Sequence, residues 1–204
     1  MQEVKAVRRT QAERRDDARQ RVLQAAASLV ATHGSRAMSL AAVGEAAGYS
    51  RGIVHHHFGS KVQLLEELIK YTQTFDVPVD SATGLSRLTD FVGAYLGGLH
   101  ERSPRSEAFL KLWTESAGAE PSLAPIFAER DARFRGMLAQ HIIDGIDDGS
   151  IRSDVDPQTA AVAIVGLLRG SALMAFSTAR DASVADLAAV ATAGVERSLA
   201  AHHH

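Results

Sequence analysis

The 204-residue chain contains no cysteine, which excludes disulfides, thiolate catalysis and cysteine-based zinc sites. Proline is scarce, five in all, and falls at the edges of apparent helices: Pro78, Pro104, Pro121, Pro125 and Pro157. No run of alternating β-branched residues suggests a strand, and no internal repeat is present. The uncharged stretch "SALMAFSTA" after Arg169 is far too short to span a bilayer, so no membrane partner is expected. The start, "MQEVKAVRRTQAERRDDARQR", is highly charged and unlike a signal peptide, which makes a cytoplasmic protein the plain expectation. Enzyme motifs are missing too. There is no Gly-rich phosphate loop, no His-Glu-x-x-His and no Gly-x-Ser-x-Gly, while His100 and His141 lack an evident acid partner. Neither an enzyme nor a cofactor is expected.

What remains is helix-forming and unevenly charged. Apolar residues make up 46% of the chain, enough for a folded core. Residues 1–70 carry 11 Lys and Arg against 7 Asp and Glu, a net of +4; residues 71–204 carry 11 against 17, a net of −6. A basic first third on an acidic body suits an N-terminal part that faces a polyanion. The terminal "AHHH" has the character of a tag remnant, so residues 202–204 are set aside.

The periodicity predicts nine helices and no sheet, an all-α fold. Val22, Leu23, Ala26, Leu29, Val30 and His33 share one face of a first helix that Gly34 stops. Ser39 caps "LAAVGEAA", with Leu40, Val43 and Ala47 as its apolar stripe, and Gly48 ends it with a positive φ. Ser50 caps "RGIVHHHF", and "SKVQLLEELIKYTQTF" follows with Val62, Leu65, Leu68 and Ile69 inward. A boundary fits "DVPVDSATGLS". Beyond it lie helices at about 85–102, 105–118 and 122–148. Two more are opened by Asp156-Pro157 and by Ser183.

Two short helices joined by a glycine turn form a helix-turn-helix, which offers its second helix to the major groove. At 100° per residue, Val54 and Phe58 face the helices behind. Gly52 and His56 point away from them, Ile53 and His55 flank, and His57 sits at the edge. Three consecutive histidines cannot converge on one metal ion, because helical metal pairs need i,i+4 spacing. If this helix enters the groove, imidazolium would help phosphate contact, and affinity would fall between about pH 6 and 8.

The segment "SLAAVGEAAGYSRGIVHHHFGSKVQLL" resembles the DNA-binding signature of tetracycline-repressor-like (TetR) transcriptional regulators. Ser39, Ala47, Gly48, Ser50, Gly52, His57, Phe58, Ser60 and Lys61 occupy matching positions, and the detailed likeness covers about residues 20–70. The resemblance implies phosphate contacts from Ser39, His57 and Lys61, and Tyr49 against sugar and phosphate. Beyond the cap Ser50, it places Arg51, Gly52, Ile53, His55 and His56 toward bases. Arg51 suits bidentate contact to guanine and Ile53 a thymine methyl. His55 departs from the family's usual tyrosine and Ile53 from its frequent threonine, so base preference does not carry over. The resemblance also implies a homodimer on double-stranded operator DNA, released by a small effector.

The expected organisation is a charged arm (1–15), a helix-turn-helix domain (16–76) and an effector-binding and dimerisation domain (77–201). The arm reaches DNA or extends the first helix. Small residues along the last two helices suit a dimerising four-helix bundle, two helices from each chain. Candidates for lining an effector pocket are Phe91, Tyr95, His100, Phe109, Trp113, Phe127, Phe134, Leu138, His141 and Met174. Arg169 is either an anion partner or a satisfied interface charge. The alternatives are an activator, or a DNA-binding protein of the same fold without an effector.

Overall fold

The computed structural model describes residues 10–72, 81–99, 103–118, 120–176 and 183–201. Those residues form nine α-helices, a short 3-10 turn at Pro121–Leu123 and a single bridge between Ile151 and Ala200. The all-α expectation holds.

The first four helices, α1 (Gln11–His33), α2 (Leu40–Ala47), α3 (Arg51–Phe58) and α4 (Lys61–Tyr71), build the N-terminal domain. Thr10 and Glu13 form a reciprocal capping box at the start of α1. Residues 11–15, assigned from sequence to the arm, are therefore its first turn, and residues 1–9 lie outside the described residues. One face of α1 buries Ala18, Val22, Leu23, Ala26, Ala27 and Val30. His33, expected on that face, is exposed, while Val30 before it and Gly34 and Ser35 after it are buried. Val62 is a second correction: it is 47% exposed. The first turn of α4 projects beyond the core, and the buried stripe begins at Leu64 and continues through Leu65, Leu68 and Ile69. Residues 73–75, expected to prolong this helix, fall outside the described residues.

The second domain comprises α5 (Gly84–Gly97), α6 (Pro104–Ser116), α7 (Ala124–Asp147), α8 (Pro157–Phe176) and α9 (Val184–Leu199). The expected 85–102 helix ends earlier, at Gly97. Where α5 starts against α7, a Cβ on Gly84 would stand 2.2 Å from the Gly145 nitrogen, so only glycine fits. The loop after α7 completes this corner, with Asp148 Oδ2 accepting from Gly84 N at 2.7 Å and Ser150 Oγ from Leu85 N at 3.2 Å.

The domains are tied through α6. Lys111 Nζ donates to the carbonyls of Ala31 (3.1 Å) and Thr32 (3.2 Å) at the end of α1, which also favours a cation there. One turn on, Glu115 Oε2 accepts from Ser35 N at 3.1 Å.

Helix α8 differs most from its expected description. It is buried on one side only, by Ala161, Ile164, Leu168, Arg169, Ala172 and Ala175. Val162, Ala163, Gly166, Leu167, Gly170, Leu173 and Met174 all face outward. The 20-residue helix has a mean hydropathy of 1.7 over its most apolar window, long and apolar enough by those measures to cross a bilayer. Counting only "SALMAFSTA" overlooked this, because a single charge, Arg169, interrupts the run.

Candidate nucleic-acid interface

The turn between α2 and α3 is built from its caps. Ser39 Oγ accepts from Ala42 N at 3.1 Å and Ser50 Oγ from Ile53 N at 3.3 Å, so both serines hold helix N-termini as their spacing predicts. Gly48 takes φ +74°, ψ +28°, the left-handed conformation that lets the chain reverse at once. Tyr49 N then donates to Gly44 O at 2.7 Å, closing the turn. Gly44 admits this approach because a Cβ there would lie 2.8 Å from Tyr49 O and 3.3 Å from Arg51 N. Those neighbours are backbone and cannot swing aside. Gly44→Val is therefore expected to splay α2 from α3 and abolish specific DNA binding while α5–α9 stay folded, as titration of a labelled duplex alongside circular dichroism will show. Wild-type DNA affinity in this variant would contradict the geometry.

The faces of α3 divide as the 100° spacing dictates. Val54 and Phe58 are buried against the helices behind, whereas Arg51, Gly52, His55, His56 and Ile53, the last 40% exposed, point outward. His57 is half-buried at the edge, 5.7 Å from the His56 ring and 6.3 Å from that of Phe58. The three imidazoles diverge, and among the described residues no group of three or more His, Asp or Glu is placed to hold a metal. Gly59 ends α3 at φ +73°. The Ser60–Gln63 capping box then starts α4, presenting half-buried Lys61 beside the same surface, with Ser39 exposed and Tyr49 half-buried.

The sequence reading missed a groove beside this face. Arg14, Arg15 and Arg19 of α1 line it with His56 and His57, and Asp16 is the one acid among the lining residues. Arg19 also lies over the Phe58 ring at 5.1 Å and pairs with Glu67 of α4, which Lys70 bonds at 2.9 Å. Arg14 and Arg15, assigned from sequence to the arm, are thus fixed on a helix next to α3. Burial, His56, Arg15 and Arg19 together push the His57 imidazole below its usual range. This lowers the pH window expected from sequence. A DNA phosphate beside His57 would raise its pKa, so binding takes up a proton. The resulting gain in affinity is complete at acidic pH and lost as pH rises through the bound-state pKa. Affinity is expected to rise as pH falls, and His57→Gln to flatten that rise. An unchanged pH slope in the variant, at fixed salt, would remove His57 from the contact.

The pocket candidates separate into groups. Phe91, Tyr95 and Phe134 pack on one another with centroids 5.5–6.4 Å apart. Phe109 and Phe127 meet at 6.0 Å, and Trp113 lies beside Arg169. Leu138 is core. His141 is half-buried with no hydrogen-bond partner at Nδ1, and burial, followed by Arg87, lowers its pKa against the pull of Asp144. His100 lies outside the described residues. Met174 departs from the group, 60% exposed on the outer face of α8. Arg169 is no interface charge; it is buried and bonds Asp131 Oδ1 at 2.9 Å.

Comparison with known proteins agrees with this architecture. The profile described as bacterial regulatory proteins of the tetR family matches residues 22–68, and that of the BetI-type transcriptional repressor C-terminal domain matches residues 85–200. A curated relative is the HTH-type transcriptional repressor KstR2 of Mycolicibacterium smegmatis, 29% identical over 156 residues that cover 71% of each chain. A TetR-family transcriptional regulator from Rhodococcus sp. superposes with a TM-score of 0.76 at 22% identity, over 89% of this chain and 98% of the other. AibR, solved with isovaleryl coenzyme A and operator DNA, superposes at 0.66 and 21% identity, over 87% and 97%. With its turn, caps and outward helix α3 in place and both profiles matched across their respective domains, the chain belongs to the TetR family of DNA-binding transcriptional regulators, which are not enzymes.

Proposed function

We propose that the protein is a cytoplasmic homodimeric repressor that binds a two-fold symmetric operator and leaves it when a small effector occupies the second domain. The observation that carries the DNA contact is the division of α3, with Val54 and Phe58 anchoring it and Arg51, Gly52, Ile53, His55 and His56 turned outward. Arg51 then contacts guanine, Ile53 a thymine methyl, and the two histidines neighbouring base edges. Ser39, Tyr49, His57 and Lys61 hold the backbone, joined by Arg14, Arg15 and Arg19.

The outward stripe of α8 supports the dimer. Added Cβ atoms on Gly166 and Gly170, and on Gly194 of α9, would meet nothing within 4 Å, so the subunit's own packing does not require glycine there. Small residues on an apolar outer face let a partner helix approach closely. Repression is supported by the relative named as a transcriptional repressor, and effector response by AibR, solved with both a ligand and operator DNA. The close aromatic packing around Phe91, Tyr95 and Phe134 favours the effector-independent reading instead.

Footprinting upstream of the protein's own coding region, combined with run-off transcription, tests the proposal. The expected result is a symmetric footprint over a promoter and less transcript on adding protein. More transcript would make it an activator.

A further inference from the structure

Two guanidinium groups and one carboxylate meet inside the second domain. Arg169 of α8 is 3% exposed, with its guanidinium carbon 4.6 Å from the Phe109 ring centroid and 5.0 Å from that of Trp113. Its Nη2 donates to Asp131 Oδ1, but the buried Nε and Nη1 have no acceptor. Arg130 of α7 also lies over the Phe109 ring, 5.4 Å from its centroid. Its Nη1 is also buried without a hydrogen bond, 3.8 Å from Asp131 Oδ1, close enough for an ion pair only.

Folded proteins leave few buried polar groups unpaired, and charged donors least of all. Here three such donors share one site. Water would satisfy their geometry but not the excess of two cations over one carboxylate. Burial, together with repulsion from Arg169, pushes Arg130 down to about 10. Arg130 also lines a cavity of about 220 Å³ between α4 and α7, beside Ile69, Lys70 and Ile126, and so links the cluster to that cavity. Glu66 and Glu129 at that opening oppose an anion, and Lys70 and Arg133 offset them.

We propose that Arg130 and Arg169 form an anion seat, and that the effector is an amphiphilic acid with a carboxylate or phosphate on an apolar body. The proposal rests on the ligand-responsive reading above. A guanidinium fork suits either anion, and Ile69 and Ile126, which line the cavity beside Arg130, suit the apolar part.

Trp113 is the only tryptophan in the chain and touches Arg169, so its fluorescence reports on the seat directly. Full-length protein without DNA is titrated with octanoate, octyl phosphate and neutral octanamide. One or both anions are expected to give a saturable change, at least about tenfold tighter than octanamide. Arg130→Gln is expected to erase that preference, and the ranking of the two anions identifies the head group. Equal binding of octanamide, or no saturable response to either anion, overturns the proposal on wild-type protein alone. Operator binding followed in parallel separates the two claims. Anion binding without DNA release keeps the seat and removes its role as an effector site, whereas release by octanamide alone keeps effector control and removes the seat.

Discussion

Replacing Val162 and Met174 together by glutamate is expected to turn the proposed dimer into a monomer at micromolar concentration and to weaken operator binding by at least about 100-fold. From Val162 to Met174, the seven exposed positions of α8 cover about 140° at 100° per residue, and none carries a charge or a polar side chain. Val162 is 56% exposed near the start of that stripe and Met174 lies near its end, while Val190 of α9 adds a further apolar side chain. Four carboxylates brought into one interface would each lose water and repel their neighbours. Helix folding should survive, because both side chains point away from the core. The affinity loss follows from geometry: a monomer engages one half-site and forfeits the gain of holding two at once. Light scattering on the eluting species decides the first part. A variant that remains dimeric would place the interface elsewhere.

Phe58→Ala carries the largest expected cost in stability, about 3–5 kcal/mol, as for other buried phenylalanines. The Phe58 ring is the last inward anchor of an eight-residue helix whose only other buried side chain is Val54. So short a helix is held by packing rather than by its own propensity. Arg19 also loses the ring it covers, although its pair with Glu67 remains. Urea unfolding followed by helix content should show the lowered midpoint, and operator affinity should fall with it as α3 loses its orientation. A loss below about 1 kcal/mol would mean that α3 is fixed by something other than this ring.

The helix-turn-helix was legible because its determinants are local. Ser39, Gly48, Ser50 and Ser60 act on backbone groups within four residues of themselves, and the inward spacing of Val54 and Phe58 belongs to one helix. The second domain resisted for the opposite reason. Asp131 and Arg169 lie 38 residues apart, and no periodicity says that they meet. Met174 shows a second limit: an apolar side chain at helical spacing has the same signature whether it faces its own core or points away from it. Val62 shows a third, since a stripe does not reveal where the core begins along the helix. Arg14 and Arg15 counted as arm charge, whereas α1 begins at Gln11 and holds both on a helix.

Selection of binding sites from random duplexes, run side by side with wild-type protein and Arg51→Ala, bears most directly on the claim that the outer face of α3 recognises sequence. Wild type should return an inverted repeat whose half-sites are spaced by about one helical turn or a multiple of it. Arg51→Ala should relax the preference at one symmetric position and weaken binding by about 1–3 kcal/mol. A site without two-fold symmetry, or uniform weakening across all sequences, would contradict it.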